Sequence, residues 1–372
     1  MLGLYLHVPF CSAICNYCNF NRGLFDAELK ARYVEALVAE IEGAGRGEAA
    51  DTIFFGGGTP SLLEPTEIAR IIQACETAFD MSRDREVTLE ANPETVTTER
   101  LRGYLTAGVN RVSFGVQSFR DEELRRLSRL HSADRARMAV REARAAGFAN
   151  ISLDLMMWLP EQRVADWLAS VDEAIAADPD HLSLYLLELY PNAPLRDEMA
   201  RARWSQAPDE DAEAMYLTAM ARLDAAGFAQ YEISNVAKPG RQSRHNLKYW
   251  QDGEWLGFGC GAHSTRGGVR WKNVSATEDY VRRVRQHAST RTEERRMAPG
   301  EQLGDALFTG LRLNEGVDLA LLRERYRVDV WERYAGDLVR FIDAGWLEHE
   351  GQRLRLTRRG MLLAHEVMAV FV

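Results

Sequence analysis

Cysteine is scarce in this chain. Five cysteines in 372 residues form no spaced framework, and the number is odd. That excludes a disulfide-stapled secreted fold and points to a reduced, cytoplasmic protein. Long apolar runs are missing as well. The longest, such as "LSLYLLELY", are strand-length, well short of the roughly 20 residues a membrane helix needs. The first ten residues hold no Lys or Arg and no small-residue cleavage site, so no secretory leader is expected. An excess of basic charge is also lacking. With 46 Lys and Arg against 55 Asp and Glu, the net charge of −9 gives no global attraction to nucleic acid or anionic membrane. Tandem repeats and low-complexity tracts are absent too.

What is present is a large apolar complement, 46% of the residues, arranged in alternating strand-like and helix-like runs. "LYLHV", "DTIFFGGG", "REVTLEANP", "NRVSFGVQS", "NISLDLMM" and "HLSLYLLEL" each precede an amphipathic stretch. Six β-then-α units predict a parallel sheet with crossover helices, an α/β fold built as a partial barrel. Gly108, Gly147, Gly227 and Gly345 fit the left-handed position just past a helix end. Polar residues and glycines gather where the strands finish: Gly56 to Gly58 after the second, Glu90 at the third, Gln117 at the fourth and Asp154 at the fifth. In β/α barrels those ends line the mouth where chemistry occurs. Residues 1–235 are expected to form this barrel. Residues 236–290, rich in Gly, His and Trp, read as an extension and connection. Residues 291–372, helices followed by a short hairpin, read as a mostly helical winged-helix-like domain.

Three of the five cysteines, Cys11, Cys15 and Cys18, crowd into the loop after the first strand with the spacing C-x3-C-x2-C. Buried free thiols are one explanation, since cysteine packs as a small hydrophobe. Three in one loop beside a strand end fit that poorly. A structural zinc site wants four ligands, and His7, alternating with Leu6 and Val8, is an awkward fourth. Thiolates also select iron–sulfur clusters. Three of them on a four-iron cluster leave one iron open to an external ligand.

At these residues the sequence resembles the radical S-adenosylmethionine superfamily, whose signature is C-x3-C-x2-C after the first strand of a partial β/α barrel. The ordered set "LYLHVPFC", "FFGGGTPSLL", "LEANPET", "NRVSFGVQSF", "LSRLH" and "LDLMMWLP" is similar to its coproporphyrinogen III oxidase-like branch, over nearly the whole chain. The resemblance implies a [4Fe–4S] cluster on Cys11, Cys15 and Cys18. It implies S-adenosylmethionine on the open iron, cleaved on reduction to a 5′-deoxyadenosyl radical. By position, Tyr5 would lie against the cluster and adenosylmethionine. Gly57, Gly58 and Thr59 would let backbone carbonyls approach the methionine ammonium. Glu90, Gln117, Arg129 and Asp154 would grip the carboxylate and ribose hydroxyls.

Two departures bear on function. Oxidases of this branch usually continue to a fourth cysteine two residues later, where this chain has Phe20, and they carry a longer N-terminal extension than is seen before "LYLHVPFC". The motif H-N-x2-Y-W at His245, Asn246, Tyr249 and Trp250 resembles the HemW group of haem chaperones. The resemblance implies haem as cargo, with His245 as candidate iron ligand and His263 and His7 as alternatives. The implied partners are haem and acceptor haemoproteins, with membrane-associated respiratory proteins and a homodimer among the candidates and no nucleic acid. Oxygen-independent coproporphyrinogen III oxidase is the alternative function. A winged-helix regulator with a sensing cluster is a third, disfavoured by the acidic charge. Trp158 stands where the family usually has glycine, and it is expected to reshape the mouth near Asp154. Cys75 and Cys260 are expected in the core.

Overall fold

The computed structural model describes residues 1–45 and 47–372. Six parallel strands follow the predicted runs: β1 (Leu2–Val8), β2 (Ala49–Gly57), β3 (Asp80–Ala91), β4 (Arg111–Gln117), β5 (Ile151–Met157) and β6 (His181–Leu186). They lie side by side in chain order. Crossover helices pack outside them, among them α1 (Ala27–Ala44), α2 (Pro65–Ala78) and α3 (Thr98–Ala107). Their starts are written locally. The Asp26 side chain accepts from the Leu29 amide, and that of Thr97 from the Arg100 amide, so orphan donors of the first turn are satisfied. The four predicted glycines all have positive φ, between +73° and +113°.

In β1 the period of two separates the layers. Leu2, Leu4, Leu6 and Val8 are at most 6% exposed and pack into the main hydrophobic core. Gly3, Tyr5 and His7 take the opposite, lumen side. The lumen is polar: Thr52, Thr88, Arg111, Ser113 and His181 are all buried in it.

The sheet extends beyond the six predicted strands. β7 (Ala229–Glu232) and β8 (Asn235–Ala237) form a hairpin whose β8 pairs antiparallel with β6. At the other edge β9 (Trp255–Phe258) pairs parallel with β1, and β10 (His263–Arg266), β11 (Val269–Asn273) and β12 (Arg291–Arg296) continue antiparallel. Among the described residues β7 and β12 are the two ends of this twelve-stranded sheet, so the barrel stays open.

β12 corrects the expected boundary at residue 291. Its sequence, "RTEERR", reads as a polar linker, yet it is an edge strand with five of its six residues exposed. An edge strand that buries nothing carries no alternation to read. The C-terminal unit therefore begins with the helix Pro299–Gly310. Its helices surround a three-stranded sheet of Val317–Asp318, Arg353–Leu356 and Leu347–Glu350. Arg312 ties it to the barrel through Glu232 at 3.1 Å, and Arg325 through Asp252 at 3.1 Å. Among the described residues no helix is long and apolar enough to cross a membrane.

Candidate functional site

At the C-terminal ends of the six strands lies a cavity of about 400 Å³. Cys11, Cys15 and Cys18 line one wall. Gly57, Gly58 and Thr59 line another, and Glu90, Gln117, Arg129 and Asp154 complete it. Ten predicted residues from six segments thus converge. A larger groove of about 850 Å³ lies between α1 and the antiparallel strands. It holds none of the predicted residues, and its arginines Arg266 and Arg291 already face Glu48 and Glu294. Convergent chemistry, not volume, marks the smaller cavity as the site.

The cysteine loop is held by its asparagines, a feature the sequence reading missed. Asn16 donates to the Arg126 carbonyl at 2.8 Å and to Glu198 at 2.6 Å. Asn21 donates to the carbonyls of Cys260 at 3.1 Å and Ser275 at 3.0 Å. Phe10–Cys11 also pairs with Gly23–Leu24, closing the loop on itself. Arg22 donates to the carbonyls of Phe20, at 3.0 Å, and of Cys18. The Thr59 hydroxyl donates to the Cys11 sulfur and the Arg129 guanidinium to that of Cys15, each at 3.6 Å. Burial pushes the Cys11 and Cys18 thiols up, opposed by Thr59 at the first and by the Phe20 backbone and Arg22 at the second. Among the described residues no three His, Cys, Asp or Glu side chains come close enough to hold one metal ion. The three thiols line the cavity without meeting at a point.

At Gly57 and Gly58 the fold itself leaves no space for a side chain. Gly57 has φ +114°, and a Cβ there would meet the His7 ring at 2.6 Å. A Cβ on Gly58 would meet the Phe10 carbonyl oxygen at 2.8 Å. Gln117 sits at φ +67°, a costly conformation for a residue with a side chain. Its buried Oε1 has no partner, and neither has the buried Nε of Arg129. Unsatisfied buried polar atoms facing a cavity fit a polar ligand. Arg129 is aimed by its bond to the Gly115 carbonyl at 2.5 Å. Asp154 accepts from the Ser113 hydroxyl at 3.2 Å, and Glu90 accepts from the Gly57 amide at 3.2 Å. Burial, then the neighbouring Asp154 charge, raises Glu90 to about 8; burial also raises Asp154.

Tyr5 stands one layer below. His7 Nε2 donates to the Asn21 carbonyl at 2.7 Å, so its Nδ1 accepts from the Tyr5 hydroxyl at 3.0 Å. Tyr5 therefore reaches the cysteine loop through His7 and is not part of the cavity wall. His7 itself has both ring nitrogens engaged. His263 is exposed on β10, away from the cavity.

His245, the candidate haem ligand, lies at the opposite end of the barrel from the cavity. It is 0% exposed, in the helix Arg244–Trp250 that plugs the barrel floor at the level of Gly3 and Thr52. Its Nδ1 bonds the Thr52 hydroxyl and its Nε2 the Tyr249 hydroxyl, both at 2.8 Å. The amides of Arg244 and His245 donate to Glu86 at 3.0 and 3.1 Å, and Trp250 lies 4.4 Å beneath the Arg312 guanidinium. The H-N-x2-Y-W motif thus packs the floor, and its histidine presents no free nitrogen to a ligand at the mouth. Trp158 also departs from expectation. At φ +62° its indole turns away from the cavity, donating to the Ala207 carbonyl at 2.7 Å, and Asp154 keeps its place. Cys75 and Cys260 are fully buried, as expected.

The profile of the Radical SAM superfamily matches residues 5–174, and that of the HemN C-terminal domain matches residues 297–363. Over 377 residues the chain is 34% identical to the "Heme chaperone HemW" of Bacillus subtilis, covering 100% of this chain and 99% of that protein. The chain belongs to the HemW family of radical SAM proteins. Another protein of the same name, from Mycobacterium tuberculosis H37Rv, is 40% identical over 380 residues, covering 98% of this chain and 93% of its own. Coproporphyrinogen III oxidase (HemN) from Escherichia coli, a radical SAM enzyme, shares the fold with a TM-score of 0.87 at 22% identity, over 100% of this chain and 89% of that one. The radical SAM family implies S-adenosylmethionine and a [4Fe–4S] cluster, and the thiols and unpartnered polar atoms of the cavity suit that pair.

Proposed function

We propose that this protein is a haem chaperone: it holds a [4Fe–4S] cluster on Cys11, Cys15 and Cys18, binds S-adenosylmethionine beside it, and passes haem to haemoproteins. The end-to-end identity to proteins named for that role carries the reading. Phe20, in place of the oxidases' further cysteine, supports it. When bound, the cluster and S-adenosylmethionine supply one-electron reductive chemistry. The protein's part is to position them. Arg129 and the amide of Gln117 suit a carboxylate. Glu90 and Asp154 suit an ammonium and vicinal hydroxyls. The Gly57–Thr59 backbone lines the cavity beside them.

The raised Glu90 gives this binding a pH dependence. Near pH 6.5 the carboxyl is protonated and offers no charge to the cationic ligand. As pH rises through about 8 it ionises and attracts it. Affinity for S-adenosylmethionine is expected to strengthen about tenfold between pH 6.5 and 8.5, corresponding to roughly 1.4 kcal/mol. Glu90→Gln should flatten the profile. Calorimetric titration of the anaerobically reconstituted protein checks both; a profile that Glu90→Gln leaves unchanged removes Glu90 from the ligand's reach.

The direct test of the chaperone role is haem titration. Purified protein should show a saturable Soret change at about one haem per chain, then lose it to an added apo-haemoprotein. Absence of saturable binding overturns the reading. The shared fold keeps an oxidase as the competitor. Coproporphyrinogen turnover by the reconstituted protein, above that of a Cys15→Ala control, would decide for it.

A further inference from the structure

The cavity mouth carries a concentration of exposed apolar side chains. Phe20 is 64% exposed, Leu186 47%, Tyr185 40% and Tyr190 37%, and all four line the cavity. Phe20 comes from the cysteine loop, the other three from the end of β6 and the segment after it. Isolated exposed apolar residues need no explanation, but a cluster around a concave site marks a contact surface. The rim is also fixed in place. Arg22 holds the carbonyls of Cys18 and Phe20, pinning the backbone that presents the Phe20 ring. The Tyr190 hydroxyl donates to Glu188 at 2.6 Å, which satisfies both groups and leaves the ring free. Arg22 also lines the cavity and is part-exposed, so a guanidinium stands beside the aromatics.

We propose that this rim is the seat for haem, with Phe20 as its central platform. The inference rests on the haem-chaperone reading and adds where the cargo sits. An iron tetrapyrrole has broad apolar faces and an edge bearing carboxylates. Aromatic rings pack on the faces, and an arginine donor meets a carboxylate at the edge. Charge and shape both favour this occupant over a second copy of the chain or a partner protein, because the rim encloses a cavity with a basic group at its lip. His245 takes no part in the seat, since both of its ring nitrogens are bonded at the floor. Phe20, standing where the oxidases have cysteine, thereby becomes a specificity-determining residue.

The test is a haem titration of the reconstituted holoprotein, read in the Soret band, with iron and sulfide content measured for every variant. Phe20→Ala should weaken haem binding about tenfold with cluster content unchanged, and Phe20→Trp should restore it. If Phe20→Ala disturbs the cluster, Tyr190→Ala, outside the cysteine loop, is held to the same tenfold criterion. Saturable wild-type binding with variants within twofold of it overturns the seat and leaves the chaperone reading standing. No saturable binding by the wild type overturns both. Unchanged haem affinity with slowed transfer to an apo-haemoprotein gives the rim to the acceptor and overturns the proposal.

Discussion

Cys15→Ala is expected to strip the purified protein of its cluster, reducing iron and sulfide to near zero per chain and abolishing the associated visible absorption. Two thiolates do not anchor a cluster that already leaves one iron without a cysteine. No substitute stands nearby. Cys75 and Cys260 are 0% exposed and line no part of the cavity. The carboxylates Glu90 and Asp154 come from other strand ends, and burial raises the pKa of both. The loss should not come from unfolding. Cys15 is only half-buried, in a loop whose backbone is held from Asn16 and Asn21. Far-ultraviolet circular dichroism should therefore match the wild type. Cys75→Ala, a control in the core, should keep its full iron content while costing about 1 kcal/mol or more of stability. A Cys15→Ala protein that retains four irons per chain would sink the assignment of the loop.

The cavity was legible in the sequence because barrel geometry turns a linear rule into a spatial one. Residues at strand ends share a mouth, so the run ending at Gly57, the carboxylates Glu90 and Asp154, and Gln117 could be placed together without coordinates. The loop after β1 had to open there as well. The clamps on that loop were not legible. Asn16 and Asn21 find partners at Glu198, Cys260 and Ser275, more than 180 residues away, and an asparagine between cysteines looks like ordinary turn chemistry. The strands β9 to β12 were hidden for a different reason. They are four to six residues long, and the outermost is solvent-exposed, so pairing is decided by neighbours rather than by pattern. His245 shows the same limit. Its motif named an aromatic, histidine-bearing helix but not which end of the barrel that helix closes.

That placement gives His245→Ala a large expected effect on stability and almost none on haem binding. The ring is fully buried, stacks on Phe54 at 5.1 Å and meets Tyr249 edge-on at 5.2 Å. Alanine would leave a cavity at the floor and strip Thr52 and Tyr249 of a hydrogen-bond partner. The combined cost is about 3 kcal/mol at neutral pH. Acid should narrow that gap. Burial, reinforced by Lys248 and Arg111, pulls the His245 pKa down to about 3, whereas an unfolded histidine titrates near 6.5. Between those values the unfolded wild type binds a proton that the folded form refuses, so the wild type loses about 1.4 kcal/mol of stability per pH unit as pH falls. The variant lacks this group and loses nothing on its account. Groups the two proteins share, such as Glu90, titrate in both and cancel in the difference. Denaturant unfolding of the two at pH 7.5 and at pH 4.5 should show a difference of about 3 kcal/mol shrinking to well under 1. A variant as stable as the wild type that no longer binds haem would return His245 to the haem site; a destabilised variant that still binds haem confirms it as the pin of the barrel floor.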